Sequence, residues 1–179
     1  FLTHYLSPSD YGNVAMFQAL NAIFSTVTIF GLRVPLLRML SVSKTGRANY
    51  MTSVLCLAAL TMLLAVFAAM LFDGYIRRTT HLSTLWIGLA IVSAGAGTIF
   101  QLFLTVYQAD GKARSYGIWL NSSSFVNLLL SVALVAWFGL GWIGRALGIV
   151  LSICGAAGAS LISLWRQNLV GVPVREDVQ

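Results

Sequence analysis

Five stretches of this chain carry no charged side chain, and each is about as long as a bilayer is thick when coiled as a helix: residues 14–32, 50–72, 84–107, 118–138 and 146–165. A hydrocarbon core of about 30 Å takes about 20 apolar residues per helix. It offers no water to backbone polar groups, so the segment must satisfy them internally. The 179 residues include only eleven Lys+Arg and five Asp+Glu, all of them outside the stretches. This pattern predicts an all-α, polytopic membrane bundle of five transmembrane helices. It excludes an ordinary soluble enzyme, where about 25% charged residues is usual against 9% here. Disorder is excluded too, because 58% of the chain is hydrophobic and only three residues are proline. Trp86, Trp119, Trp137 and Trp165 stand at stretch ends and Trp142 in the 139–145 connection, where an interfacial aromatic belt would put them.

The basic residues give an orientation. Arg33, Arg38, Lys44, Arg47, Lys112, Arg114, Arg166 and Arg175 follow the first, third and fifth stretches, so these eight share one side. Only Arg77, Arg78 and Arg145 fall on the other. Basic loops stay in the cytoplasm, which places the N-terminus outside and the C-terminus inside. The net charge of +6 therefore reports sidedness, and no nucleic-acid partner is expected. An outside N-terminus beginning at Phe1, with no signal peptide, predicts that a further span precedes this chain in a longer protein.

Polar residues inside spans are costly and mark function or packing. Gln18, Asn21, Ser25 and Thr28 are spaced 3, 4 and 3, so they share one helix face. Asn121, Ser124, Asn127 and Ser131 repeat the pattern in the fourth span, and Ala94, Gly97, Thr98, Gln101 and Thr105 form a small-and-polar stripe in the third. Cavity lining and interhelical packing both fit these faces. Gly148, Ser152, Gly155 and Ala159 make a small-xxx-small stripe expected to pack against another helix. No Asp, Glu, Lys, Arg or His falls within a span, and no catalytic or nucleotide-binding motif is present. His4 and His81 lack ligand-spaced partners, and Cys56 and Cys154 lie mid-span. Neither a metal, a cofactor nor catalysis is expected.

Between the spans stand Leu6-Ser7-Pro8-Ser9-Asp10-Tyr11-Gly12, Gly31-Leu32-Arg33, the hairpin Tyr107-Gln108-Ala109-Asp110-Gly111-Lys112, and Gly139-Leu140-Gly141-Trp142-Ile143-Gly144-Arg145. Their order and spacing, from Leu6 to about Arg166, resemble bacterial oligosaccharide flippases, the polysaccharide-export members of the multidrug/oligosaccharidyl-lipid/polysaccharide exporter superfamily. The resemblance implies a fold of 12–14 helices in two lobes around a central cavity. The five spans would be helices 2–6 of an incomplete first lobe. The partners lacking here would be the first helix and the second lobe. Residues 1–13 would be an external interfacial segment, 14–165 the bundle, and 166–179 a cytoplasmic tail or the start of an interlobe linker.

The resemblance further implies alternating-access translocation of a lipid-linked oligosaccharide across the bacterial inner membrane, with membrane lipid around the substrate's tail. Arg33 and Arg38 would then attract its pyrophosphate, and Gln18, Asn21, Gln101, Asn121 and Asn127 would meet sugar hydroxyls. For the arginines, the positive-inside rule and headgroup snorkelling are the weightier explanation. Three alternatives stand beside this reading. A cation-coupled multidrug exporter of the same superfamily is weakened by the lack of an intramembrane acid. A membrane glycosyltransferase would need a larger loop than 73–83 or 139–145. A non-catalytic assembly subunit would use the Gly148–Ala159 stripe as its interface.

Overall fold

The computed structural model describes residues 7–29, 31–42, 46–80, 82–167 and 169. His4, Lys44, His81, Arg175 and the chain ends, which entered the charge and metal arguments above, lie outside the described residues. Among those residues all regular structure is helical: α1 (Pro8–Ile29), α2 (Arg33–Val42), α3 (Arg47–Leu71), α4 (Asp73–Thr80), α5 (Thr84–Ala109), α6 (Ala113–Val132) continued by a π-helical turn (Ala133–Trp137), and α7 (Gly141–Arg166). Four elements, α3, α5, α6 with its π turn, and α7, are each long and apolar enough to cross a membrane. α1 and α2 qualify only together, as a pair bent by 48°. The protein is thus a polytopic helical membrane bundle.

Local chemistry sets the helix ends. Ser7 Oγ accepts from the Asp10 backbone N–H at 3.2 Å, and Asp10 Oδ2 accepts from the Ser7 N–H at 3.1 Å. This reciprocal box starts α1 at Pro8, so residues 8–13 belong to the first long helix. Residues 33–49, expected as a loop, instead hold α2 and the start of α3. Leu32, Leu36 and Leu40 recur every four residues and are buried in one cluster with Met51, Phe103 and Leu164, which is what makes this charged segment helical. The 73–83 connection likewise contains α4. Gly31, Gly111, Gly139 and Gly141 take positive φ at the turns.

α5 is the centre. Of its most apolar window 61% is buried, against 11% for α6, and it contacts α1, α2, α3, α6 and α7. In lipid there is no hydrophobic drive between helices, so close packing and hydrogen bonds must hold them. Both occur around α5: the hydroxyls of Thr28 on α1 and Thr98 on α5 meet at 2.7 Å, and Thr61 Oγ1 of α3 donates to the Thr28 carbonyl of α1 at 3.2 Å. Met62 of α3 lies over Gly95, which has no Cβ to obstruct it.

The turns gather at two ends. At one, Arg33 Nη2 donates to Gln108 Oε1 at 3.2 Å, Arg47 pairs with Asp110 at 2.9 Å, and Gln167 Nε2 donates to the Tyr107 hydroxyl at 3.2 Å. At the other, Trp86 packs against Trp142 with ring centres 4.8 Å apart and planes tilted by 52°, and Asp10 lies beside Gly141. The α6–α7 hairpin closes tightly there, since a Cβ on Gly144 would stand 2.9 Å from the Leu134 backbone.

Candidate functional site

The polar faces of α1, α5, α6 and α7 converge on a cavity of about 360 Å³. α1 supplies Asn21 and Ser25, α5 Ser93 and Gly97, α6 Ser123, Ser124 and Asn127, and α7 Ile149, Ser152 and Ile153. The direction of its hydrogen bonds is uniform. Ser25 donates to the Asn21 carbonyl at 2.7 Å, Ser93 to Ala90 at 3.0 Å, Ser123 and Ser124 to Leu120 at 3.0 and 3.1 Å, and Ser152 to Ile149 at 3.0 Å. Each serine has one proton within reach of a carbonyl of its own helix, which leaves the accessible oxygens of Ser25, Ser123 and Ser124 as acceptors. Ser93 and Ser152 are buried, and Ser152 already accepts from Asn127.

One charge borders this wall. Arg145 Nη1 donates to Asn127 Oδ1 at 2.8 Å and also to Ser131 Oγ, while Asn127 Nδ2 donates to Ser152 Oγ at 2.9 Å. The chain Arg145–Asn127–Ser152 fixes the amide of Asn127 with its oxygen on the guanidinium. Arg145 was expected in the connection before the fifth span. The helix in fact begins at Gly141, so Arg145 lies inside α7 and half-buried. Two acceptors from α6 allow a cation there that an isolated apolar helix would not tolerate. The signal was present in the spacing: Arg145, Gly148, Ser152, Gly155 and Ala159 follow one another at 3, 4, 3 and 4, so the arginine extends the small-residue stripe.

A family model described as polysaccharide biosynthesis protein matches residues 1–170. The chain belongs to that family. No curated protein and no solved structure matches it. Membership assigns this bundle a role in polysaccharide synthesis or export.

In this polysaccharide biosynthesis protein the residues singled out from sequence separate into groups. Asn21 and Asn127 share the cavity, joined by Ser152. Gln18 and Asn121 are exposed on their helices and do not border it, and Gln101 is half-buried on α5, also outside the lining. Arg33 and Arg38 belong to α2 at the end of the bundle that holds Asp110, with Arg38 on its exposed side. The Gly148–Ala159 stripe divides. A Cβ on Gly148 would meet Ser131 Oγ at 2.6 Å, so α6 and α7 pack closely there, whereas one on Gly155 would meet nothing within 4 Å. Gly155 and Ala159 border a groove between the diverging α6 and α7. Among the described residues no group of His, Cys, Asp or Glu is placed to hold a metal ion. Ser93 was not singled out from sequence. Its neighbours on α5 are apolar or small, and only the meeting of four helices makes it a wall residue.

Proposed function

We propose that this protein is part of a flippase that moves a lipid-linked oligosaccharide across the bacterial inner membrane by alternating access. The observation that carries the reading is the uncharged, acceptor-rich cavity between spanning helices. Sugar hydroxyls donate hydrogen bonds, and a wall whose serine protons are already committed offers them oxygens to donate to. Asn21 adds an amide that can both donate and accept. The polyprenyl tail would remain in lipid while the sugar and its pyrophosphate occupy the cavity, and rocking of this lobe against a second would expose the head to the periplasm.

The proposed orientation puts α2 and the Asp110 turn in the cytoplasm, because Arg33, Arg38, Arg47, Lys112, Arg114 and Arg166 collect at that end. Arg33 and Arg38 would then meet the pyrophosphate as the substrate enters from the cytoplasmic leaflet. Polysaccharide chemistry is left to other proteins in this reading.

The test is complementation of glycan export by the full-length protein. Asn21→Leu with Asn127→Leu is expected to lower export at least about tenfold, the equivalent of ~1.4 kcal/mol or one to two hydrogen bonds to sugar. Asn121→Leu at equal abundance should leave it near wild type. Equal export from all of these variants would remove the cavity from the substrate path.

A further inference from the structure

Two concavities adjoin at a different corner, where α3 ends, α4 runs and α5 begins. One, of about 490 Å³, is an apolar groove between α3 and α5 walled by Val66, Met70, Ile87, Gly88, Ile91 and Val92. The other, of about 540 Å³, is lined by Arg77, Arg78 and Ser83. They meet along α4 and the start of α5, since Asp73 and Thr84 border the first while their neighbours Gly74 and Ser83 border the second. The groove faces away from the rest of the bundle, with Met70 72% and Val92 45% exposed. From Val66 to Met70 it follows α3 for about 6 Å, as far as the start of α4 at Asp73.

Charge at the junction is unbalanced. Asp73 is the carboxylate there, and it is already engaged: Thr84 Oγ1 donates to its Oδ1 at 3.2 Å and Arg77 Nη1 lies 3.7 Å from its Oδ2. Arg78 has no carboxylate partner among the described residues. A guanidinium at a membrane interface, next to an apolar slot that runs toward the bilayer centre, matches a molecule with an anionic phosphate on an apolar chain. A soluble anion would leave the slot unused, and a neutral lipid would leave Arg78 unmatched.

We propose that an anionic phospholipid of the surrounding bilayer binds here, with one acyl chain in the α3–α5 groove and its phosphate on Arg77 and Arg78. The site is separate from the serine-lined cavity and does not depend on what that cavity carries. Its effect is to hold α4 against the ends of α3 and α5, so occupancy stabilises the fold.

The experiment is thermal unfolding of the full-length protein in detergent micelles supplemented with dioleoylphosphatidylglycerol, dioleoylphosphatidylcholine or a polyprenyl phosphate. Phosphatidylglycerol is expected to raise the midpoint by about 5 °C or more over phosphatidylcholine, as for a ligand ~100-fold above its Kd. Arg77→Gln with Arg78→Gln should remove that difference. Gly88→Leu should remove it independently, by filling the groove from a position where an added Cβ meets nothing within 4 Å. The two variants act on opposite halves of the site, so misfolding of one leaves the other informative. Equal shifts from both phospholipids, a phosphatidylglycerol increment that survives in a folded variant, or stabilisation by polyprenyl phosphate alone would each overturn the assignment.

Discussion

The Arg145 guanidinium of α7 donates to the side-chain oxygen of Asn127 on α6 at 2.8 Å, and this bond joins the charge at one end of the bundle to the polar wall of its cavity. Asn127 passes the constraint on by donating to Ser152 at 2.9 Å. The pair therefore couples helix packing to the geometry of the wall.

That coupling is measurable. In a double-mutant cycle with Arg145→Ala and Asn127→Ala, the interaction energy is expected to be roughly 0.6–1.7 kcal/mol, the range for hydrogen bonds between spanning helices. The readout is unfolding of the full-length protein in detergent. Strict additivity of the two single variants would mean that the bond contributes nothing to holding α6 on α7.

Gly148 and Gly155 lie on one stripe but predict opposite outcomes. Gly148→Ala places a methyl 2.6 Å from Ser131 Oγ and 3.0 Å from the Ser131 backbone, and Ser131 is itself fixed by Arg145. Displacing backbone in a packed interface costs about 1–3 kcal/mol. Gly155→Ala meets open space and should be neutral or stabilising by up to about 1 kcal/mol through helix propensity. Thermal midpoints of the two variants settle the contrast, and a reversed order would show that α6 and α7 do not approach as described.

Asp110 supplies a pH dependence. Partial burial would raise its carboxyl, but the hydrogen bonds and charges of Arg47 and Lys112 outweigh this and hold it below the ordinary value of 3.8. A carboxylate lowered in the folded state adds stability that is complete above its unfolded value and is lost as pH falls through the folded one. Asp110→Asn should thus lower stability by about 0.2–1 kcal/mol, the size of a solvent-accessible pair. The deficit should stay constant between about pH 5 and 8 and close as pH drops below 3.8. Midpoints of both proteins across that range are the check, and a gap that persists undiminished in acid would assign the effect to something other than the ion pair.

Much of the architecture was legible in one dimension because lipid imposes a one-dimensional rule. A helix without charge for about 20 residues can satisfy its own backbone in hydrocarbon, and the apolar runs announce that directly. The Ser7–Asp10 box was readable for a similar reason, being formed between residues three apart. α2 and α4 were less visible. Arg33 and Arg38 interrupt the apolar pattern of α2, and the Leu32, Leu36, Leu40 periodicity carries meaning only once α3 and α5 offer a surface to bury it.

The sequence by itself determined that this protein crosses a membrane, where four of its spanning helices run, and that several helices carry a narrow polar face. The first expected span, by contrast, proved to qualify only as α1 bent onto α2. Tertiary structure alone decided which of those faces meet. Asn21 and Asn127 share a cavity while Gln18 and Asn121, on the same two helices, stay outside it. Rotation of each helix about its axis is set by contacts such as Thr28 with Thr98 and Gly148 with Ser131. Arg145 shows the same limit from the other side. A charge ends an apolar run when read along the chain, but two acceptors on a neighbouring helix let it sit inside one.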